Sequence, residues 1–348
     1  MTHSSYLSTK RAALACAAAI AVGAFAMPAA QAQNDEAAFF KGKTARILVG
    51  FGAGGGYDAY ARMIAPVIGQ KLGATVIVEN MPGAGSMTAM NNVYAAEPDG
   101  LRMMLANGTA AGLAQITDSP AVRFKLDDYT HLGTVSASPW LWLVHKDSKE
   151  KTPADFIKAG RSINWAAGGP IDGLSDGAQI TCAVLHMKCK VVLGYKGSND
   201  AALAVSRKEM DAVFVSDTSA NNYVNSSDLY PVANMSRTRS RFFPNIPTVY
   251  EAVKLAPADE WLMDFHGSVQ ALGRILIAPP KMAPARAEFL RNAVKDALAD
   301  PKLKADGEKS QRYIDYIDAN ETMKAVRQAI TDVTPEQKKR VQGILTFK

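Results

Sequence analysis

The chain has 348 residues, of which 48% are apolar, 21% charged and 8% aromatic, and its formal net charge is +6. That length suffices for two domains. The positive excess is mild and spread along the sequence, and the basic cluster at Glu336 to Arg340 fits a solvated helix face. We therefore expect no nucleic acid partner. After residue 32 no apolar run approaches the roughly 20 residues of a membrane span, so the composition also argues against an integral membrane protein.

The first 32 residues have the pattern of a secretory signal peptide. Lys10 and Arg11 precede an uncharged run from Ala12 to Met27, and Ala30-Gln31-Ala32 forms a small-residue cleavage pattern. A membrane anchor is the alternative, but an Ala-rich run of 16 residues is short for a span. We expect export to the periplasm with cleavage after Ala32. The mature chain would begin at Gln33, with the net charge lowered from +6 to +4 because the signal carries two basic residues and no acidic one.

Predicted strands and helices alternate in the first part of the mature chain. They are, in order, the strand ARILVGF, the helix YDAYARMIAPVIGQKLG, the strand TVIVEN, the helix SMTAMNNVYAAEPDG and the strand LRMMLAN. Gly73 follows the first helix, and Pro98 with Gly100 ends the second. Such alternation predicts a parallel sheet with helices on its faces.

The same pattern begins again near residue 140. Its predicted elements are the strand WLWLVHK, the helix TPADFIKAG, the strand SINWAAG, a helix from Leu174 to Met187, the strand CKVVLGY, a helix from Ala201 to Lys208 and the strand MDAVFVSD. We expect YPVANMS to cross back. The tail has few strand signals, and its helices near Pro284 to Leu298 and Glu321 to Thr331 would pack on the first sheet.

These patterns predict an α/β protein of two domains, with the second domain inserted into the first. Domain I would comprise residues 33–135 and 236–348, and domain II residues 136–235. Two connections would cross between the domains, with a cleft between them.

A glycine-rich turn opens the first helix. Gly50, Gly52 and Gly55 satisfy G-x-G-x-x-G between a predicted strand and a predicted helix, which is the context of a dinucleotide-binding turn. Glu79 ends the second strand, where an acidic residue would hold a ribose hydroxyl. An exported NAD(P)-binding oxidoreductase is therefore an alternative function.

Two observations count against a dinucleotide. Asp58 falls in the first turn of the following helix, where its charge would repel a pyrophosphate, and an exported chain meets no pool of free nicotinamide cofactor. The successive backbone N–H groups from Gly52 to Gly56 suit a carboxylate equally well. A turn that merely connects strand to helix is the structural alternative, because isolated matches to this motif are weak.

Two further glycine-rich loops, ENMPGAGSMTA and AAGGPIDGLSDGA, also follow predicted strands. The carboxyl ends of strands are where open α/β sheets bind ligands, so loops from both domains should face one cleft. The candidate ligand-binding residues are Phe51, Gly52, Ala53, Gly54, Gly55, Gly56, Tyr57, Asp58, Gly83, Ala84, Gly85, Ser86, Thr109, Ala167, Gly168, Gly169, Asp172, Gly173, Asp217 and Thr218.

Four segments resemble, in order and spacing, the Bug/TctC family, the extracytoplasmic receptors of tripartite tricarboxylate transporters. They are GFGAGGGYDAYAR, VIVENMPGAGSMTAMNNVYAAEPDG, LGYKGSNDAALAVSRKEMDAVFVSD and FPNIPTVYEA. The family's first loop, Pro-Phe-x-x-Gly-Gly-x-x-Asp, falls on Gly50, Phe51, Gly54, Gly55 and Asp58, with Gly50 in place of the Pro.

The resemblance implies the type II-like periplasmic-binding-protein fold, with two parallel-type sheets flanked by helices. It also implies a receptor that closes on a small organic carboxylate through backbone groups and water. Membrane permease subunits of such a transporter would be its partner. We expect a monomer.

The second-domain loop departs from the family pattern of Gly-x-Gly-Ser followed by His. It carries Asp172 and Asp176 and no His, and these acidic side chains would oppose a second ligand carboxylate. A ligand with one carboxylate and a polar or aromatic far end is therefore favoured, and Tyr57, Trp140 and Trp165 could line its pocket.

The sequence contains few residue patterns typical of a catalytic site, and we expect neither an enzyme nor a cofactor. The sequence has none of the motifs G-x-S-x-G, G-x-x-x-x-G-K-[ST] and H-E-x-x-H. His131, His145, His186 and His266 form no pair spaced for a metal. In the mature chain Cys182 and Cys189 are either a disulfide, which export permits, or two buried thiols.

Overall fold

Two five-stranded sheets organise the computed structural model, which describes residues 35–345. The predicted signal peptide and its cleavage site lie outside the described residues. The strands are β1 (Thr44–Val49), β2 (Thr75–Asn80), β3 (Arg102–Asn107), β4 (Thr130–Ser136), β5 (Trp140–His145), β6 (Ile163–Ala166), β7 (Cys189–Val192), β8 (Ala212–Ser216), β9 (Leu229–Asn234) and β10 (Arg274–Ala278). The strand order is β2-β1-β3-β10-β4 in the first sheet and β7-β6-β8-β5-β9 in the second.

Helices cover both sheets and form most of the tail. They are α1 (Gly56–Leu72), α2 (Met87–Tyr94), α3 (Gly108–Ile116), α4 (Pro153–Ala159), α5 (Leu174–Val184), α6 (Ser198–Ser206), α7 (Asp217–Ser226), α8 (Val249–Ala252), α9 (Pro257–Gln270), α10 (Pro284–Leu298), α11 (Pro301–Lys309), α12 (Ala319–Thr331) and α13 (Pro335–Leu345). Short 3₁₀ turns span Ala84–Ser86 and Leu126–Asp128.

The two sheets have the same internal arrangement. In each, three strands run parallel: β2, β1 and β3 in the first sheet, and β7, β6 and β8 in the second. An antiparallel strand then follows, which is β10 in the first sheet and β5 in the second. The chain leaves the first sheet after β4 and returns to it with β10, so the predicted α/β architecture with two crossing connections is confirmed.

Strands β4 and β10 of the first sheet were not predicted from the sequence pattern. The five residues of β10, RILIA, are all buried, and they insert between β3 and β4. The run is short and lies among helical segments, so periodicity alone does not separate it from a buried helical turn. The segment predicted to cross back, β9, instead pairs with β5 at the edge of the second sheet.

Local sequence signals account for the ends of several helices. Thr152 and Asp155 form a capping box at the start of α4, whose first residue is Pro153. Helix α1 ends at Gly73, whose φ of 67° is left-handed and suits glycine. All six residues of β5 are buried, as expected of a strand covered on both faces by helices.

The tail packs mainly on the first sheet, as predicted, and also reaches the second. Helix α10 lies on α1 and β4, and α12 lies on β4. Helices α9 and α13 contact α5 beside the second sheet. Asp259 in α9 binds both His186 and Arg340, with N–O distances of 3.0 and 2.9 Å, and so ties these elements together. Within residues 35–345 no helix is long and apolar enough to cross a membrane.

Cys182 of α5 and Cys189 of β7 are joined by a disulfide, with their Cα atoms 6.2 Å apart. We predict that the purified exported protein will show no alkylatable thiol before reduction and two after it, measured by intact mass. Reducing this short loop should cost about 2 kcal/mol of stability on the chain-entropy model. Two reactive thiols without reductant would contradict the pairing.

Candidate functional site

The glycine-rich loops of the two sheets are in direct contact. Gly52 N–H donates to Lys196 O at 2.7 Å, which links the loop after β1 to the loop after β7. Asn107 Nδ2, at the end of β3, donates to Asp172 O at 3.1 Å. A Cβ on Gly169 would overlap the backbone of the loop after β2. The carboxyl ends of β1, β2 and β3 therefore face those of β6 and β7 across one cleft.

Asp58 braces the loop after β1 from inside. It accepts the Gly54 N–H at 3.0 Å and is paired with Arg62, one turn further along α1, at 2.9 Å. Arg62 in turn donates to Asn80, which donates to Phe51 O. Burial works to raise the pKa of Asp58, but the hydrogen bonds from Arg62 and Gly54 outweigh it and hold the pKa below its usual range. The Asp58 carboxylate thus remains charged, and its oxygens are hydrogen-bonded to Gly54 and Arg62.

Two glycines of the G-x-G-x-x-G match have uses other than holding a pyrophosphate. A Cβ on Gly50 would overlap the side chain of Ser86, so this glycine lets the loop after β2 approach. The Gly52 amide is already committed to Lys196 O. With Asp58 bound to the Gly54 amide, the turn offers a dinucleotide little of its usual donor surface.

The loop after β2 has a run of left-handed residues. Gly83, Ala84, Gly85 and Ser86 have φ values of 148°, 47°, 64° and 84°. Ala84 and Ser86 are not glycines, so a positive φ at these two residues costs free energy. Backbone strain of this kind is concentrated at functional sites such as ligand-binding loops. Ser86 Oγ is buried and has no hydrogen-bond partner in the described structure.

Asp172 braces the loop after β6. Its carboxylate accepts backbone N–H groups from Gly168, Gly169 and Ser175. Burial raises the pKa of Asp172, whereas these three donors favour its charged form. The side chain that the sequence suggested as an opponent of a second carboxylate therefore also holds its own loop in place.

Asp176 lies deeper, in the first turn of α5. Its Oδ1 accepts the Gly177 N–H at 2.7 Å, and its Oδ2 has no partner among the described residues. Burial, followed by the nearby charge of Asp172, raises the pKa of Asp176 to about 7. Asp176 borders none of the cavities described below.

Two spaces lie in the cleft, and Phe51 and Asp172 border both. The inner cavity has a volume of about 20 Å³ and lies under Tyr57 and Trp140. The outer space, of about 330 Å³, lies between the loops at the mouth and includes Lys196. The residues of the inner cavity are Phe51, Gly55, Gly56, Tyr57, Trp140, Asp172, Leu174, Ser198, Val215, Ser216, Ser219 and Arg274.

Arg274, the first residue of β10, places a buried guanidinium beside the inner cavity. It is 4% exposed and donates to four hydroxyl groups. The donor–acceptor distances are 3.2 Å to Ser136, 3.4 Å to Ser138, 2.8 Å to Ser216 and 3.4 Å to Thr218. Sequence analysis missed Arg274 because β10 was not predicted, although a charged residue directly before a short apolar run was a usable signal.

The remaining predicted residues occupy different places. Gly83, Ala84, Gly85, Ser86 and Gly168 border the outer space, and Gly173 packs against Trp140 and Asn107. Ala53 is exposed. Thr109, Ala167 and Asp217 are buried behind the cavity walls, where Thr109 Oγ1 donates to Val269 O, Ala167 N–H to Val192 O, and Asp217 accepts from Ser240.

Of the three aromatic residues suggested for the pocket, Tyr57 and Trp140 line it. Trp165 does not, because it is fully buried in the core of the second sheet with its ring centroid 5.2 Å from that of Trp142. Burial raises the pKa of the Tyr57 phenol, so its ring is neutral at physiological pH.

Comparison with solved structures defines the class of fold. The structure of MatC from Rhodopseudomonas palustris, determined with bound malate, superposes with a TM-score of 0.72 at 21% identity, covering 87% of this chain and 99% of that one. A second R. palustris protein, determined with adipate, gives a TM-score of 0.72 at 15% identity, covering 87% and 98%. The periplasmic binding protein BugD gives 0.72 at 20% identity, covering 87% and 98%.

The sequence comparisons identify the family. The profile of the tripartite tricarboxylate transporter family receptor, TctC, matches residues 60–339. A UPF0065 protein of Bordetella pertussis is 28% identical over 285 residues, covering 78% of this chain and 86% of that protein. BugT of B. pertussis is 22% identical over 234 residues, covering 66% and 72%. The chain belongs to the TctC family, as its glycine-rich loops indicated.

We predict that Asp176→Asn stabilises the protein in a pH-dependent manner. The folded pKa of Asp176, about 7, lies above the unfolded value of about 3.9. The folded state therefore binds the extra proton between these values, and the contribution of this group to stability falls as pH rises from about 4 to 7. Asn removes the titration, so the variant should gain on the order of 2 kcal/mol above pH 7 and little at pH 4.

Melting temperatures of the parent and of Asp176→Asn across pH 4 to 8 measure this effect. Asp296→Asn, at an exposed position of α10, is the control. A pH-independent difference between Asp176→Asn and the parent would contradict the prediction.

Proposed function

We propose that this protein is a periplasmic solute-binding protein that captures a small organic carboxylate in the cleft between its two sheets and delivers it to a membrane permease. The observation that carries the proposal is the meeting of glycine-rich loops from both sheets over one cavity, at the N-terminus of α1. The amides of Gly56 and Tyr57 open that helix and have no acceptor within it, so they suit a carboxylate.

Several observations support the rest of the proposal. Membership of the TctC family favours a permease of a tripartite tricarboxylate transporter as the partner. Malate and adipate in two structures of the same fold favour a carboxylate ligand. Periplasmic location agrees with the signal peptide pattern, whose removal would leave Gln33 first in the intact mass. Residues 33–135 with 236–348 would form one domain and residues 136–235 the other, in a monomer without catalytic activity.

A screen of organic acids tests the ligand class. A ligand at a hundred times its dissociation constant stabilises the folded state by about 2.7 kcal/mol, which for a chain of this size raises Tm by several degrees. We expect such shifts for small carboxylates and none for NAD or NADP, because Asp58 occupies the loop amide that a pyrophosphate would need. Amidating the best acid should abolish its shift, since a neutral acceptor binds backbone donors more weakly. A nicotinamide cofactor as best ligand would overturn the proposal.

Gly55→Glu tests the place of binding. Gly55 has φ of −77°, and a Cβ there would meet Ser198 Oγ at 3.4 Å, so the backbone accepts a side chain. Glutamate would put a like charge beside the inner cavity, and we expect at least about 100-fold weaker binding in a folded protein. Gly343→Glu, on a helix with open space around the glycine, is the matched control. Unchanged affinity in folded Gly55→Glu would place the ligand elsewhere.

A further inference from the structure

Arg274 is a buried cation that forms no ion pair with any of residues 35–345. It is the one Lys or Arg that is buried among residues 35–345, and no Asp or Glu of that range forms a salt bridge with it. Burial raises the pKa of nearby Asp217, which the Ser240 hydrogen bond and the charge of Arg274 oppose only in part, and its carboxyl accepts from Ser240 at 2.9 Å rather than from Arg274. Arg274 Nε has no acceptor in the described structure.

Such a cation is costly to keep in the folded protein. Burying a charge without a counter-charge is unfavourable, and hydroxyl dipoles compensate for it only in part. The faces of two tyrosine rings add some stabilisation, since the guanidinium carbon lies 4.4 Å from the Tyr60 centroid and 5.2 Å from that of Tyr57. The site as a whole therefore has an excess of positive charge.

The backbone around Arg274 increases that excess. A Cβ on Gly56, the first residue of α1, would lie 3.6 Å from Arg274 Nη2, so the guanidinium adjoins the positive end of this helix. At the start of α7, the N-cap residue Ser216 makes no side-chain cap and its Oγ accepts from Arg274. Two helix N-termini and one cation thus converge on the inner cavity.

The other walls of the inner cavity do not supply a second positive charge. Phe51, Tyr57, Trp140, Leu174 and Val215 give it aromatic and aliphatic surfaces. Asp172, on the opposite loop, is an acidic group that borders both the inner cavity and the outer space. Lys196 is exposed at the mouth, where an ion pair contributes little.

We infer that Arg274 binds the carboxylate of the ligand and that the cleft selects a monocarboxylate with an apolar, aromatic body. The inference rests on the proposed function and specifies its ligand class. A planar guanidinium matches a carboxylate in two parallel hydrogen bonds, and Ser216, which borders the inner cavity, can exchange its bond from Arg274 for the ligand. A second carboxylate would meet Asp172 or the apolar walls.

The test measures the affinities of probes that share one skeleton. Benzoate, terephthalate and the monoamide of terephthalate are titrated by calorimetry into the full mature protein, together with malate and adipate. We expect benzoate and the monoamide to bind at least about 10-fold more tightly than terephthalate, because the second charge of terephthalate is desolvated against Asp172.

Variants of Arg274 test the anchor itself. Arg274→Met and Arg274→Gln should each weaken benzoate binding at least about 30-fold, and Arg274→Lys about 10-fold, because lysine keeps the charge and loses the planar fork. Arg312→Met is the matched control, since Arg312 adjoins the same glycine loop from a neighbouring crevice, and it should change affinity less than threefold. Lys196→Met tests the other basic side chain of the cleft and should weaken binding much less than Arg274→Met.

The stability of the free protein separates a binding role from a structural one. Removing an unpaired buried cation should leave Tm unchanged or raise it in Arg274→Met and Arg274→Gln, whereas a structural arginine would lower Tm when replaced.

If no carboxylate binds the parent protein, the proposed function fails and the anchor with it. If carboxylates bind but Arg274→Gln keeps its affinity, or terephthalate, malate or adipate binds best, or Lys196→Met loses as much affinity as Arg274→Met, the receptor function stands and the inference is overturned.

Discussion

The guanidinium of Arg274 is a positive charge removed from water that forms no ion pair within residues 35–345, and the arrangement of the cleft follows from how that charge is accommodated. Hydroxyl groups from both sheets surround it, Ser136 from the first and Ser216 from the second. A residue that begins β10 of the first sheet therefore also contacts the edge of β8 in the second. These contacts place the cation between the two halves of the cleft.

Close approach of backbone is the second constraint. The loops after β2 and β6 meet where Gly85 and Gly169 lie, and a side chain on either would overlap the other loop. Large side chains cannot be accommodated where these two loops meet, so the selectivity of the cleft must come from the few side chains that border it. Asp172 is the acidic side chain that borders the cleft, and it accepts backbone amides of its own loop, as Asp58 does in the loop after β1. Hydrogen bonds within each of these two loops therefore favour its present conformation.

The sequence predicted the features that depend on local pattern. Alternating apolar runs, capping residues such as Thr152 and Pro153 and the glycine loops were enough for the three parallel strands of the first sheet and for the strands of the second. Local pattern marks Arg274 only as a charged residue before a short apolar run, because its importance depends on β10 inserting between β3 and β4, a pairing of residues distant in the chain. The prediction that Trp165 lines the pocket was wrong for a related reason, because local pattern does not tell which face of a strand lies toward the cavity and which toward the core.

The size of the inner cavity sets how binding and closure are coupled. About 20 Å³ holds little more than one water, so the inner cavity as it stands has no room for an organic acid beside Arg274. On the proposed function, entry would break the bonds from Gly52 to Lys196 O and from Asn107 to Asp172 O, which join the loops across the cleft. A ligand whose body fits between Tyr57 and Trp140 can regain contacts of this kind, whereas one that holds the loops apart cannot. The free energy of the loop contacts therefore enters the affinity directly and favours ligands compact enough to allow them to form again.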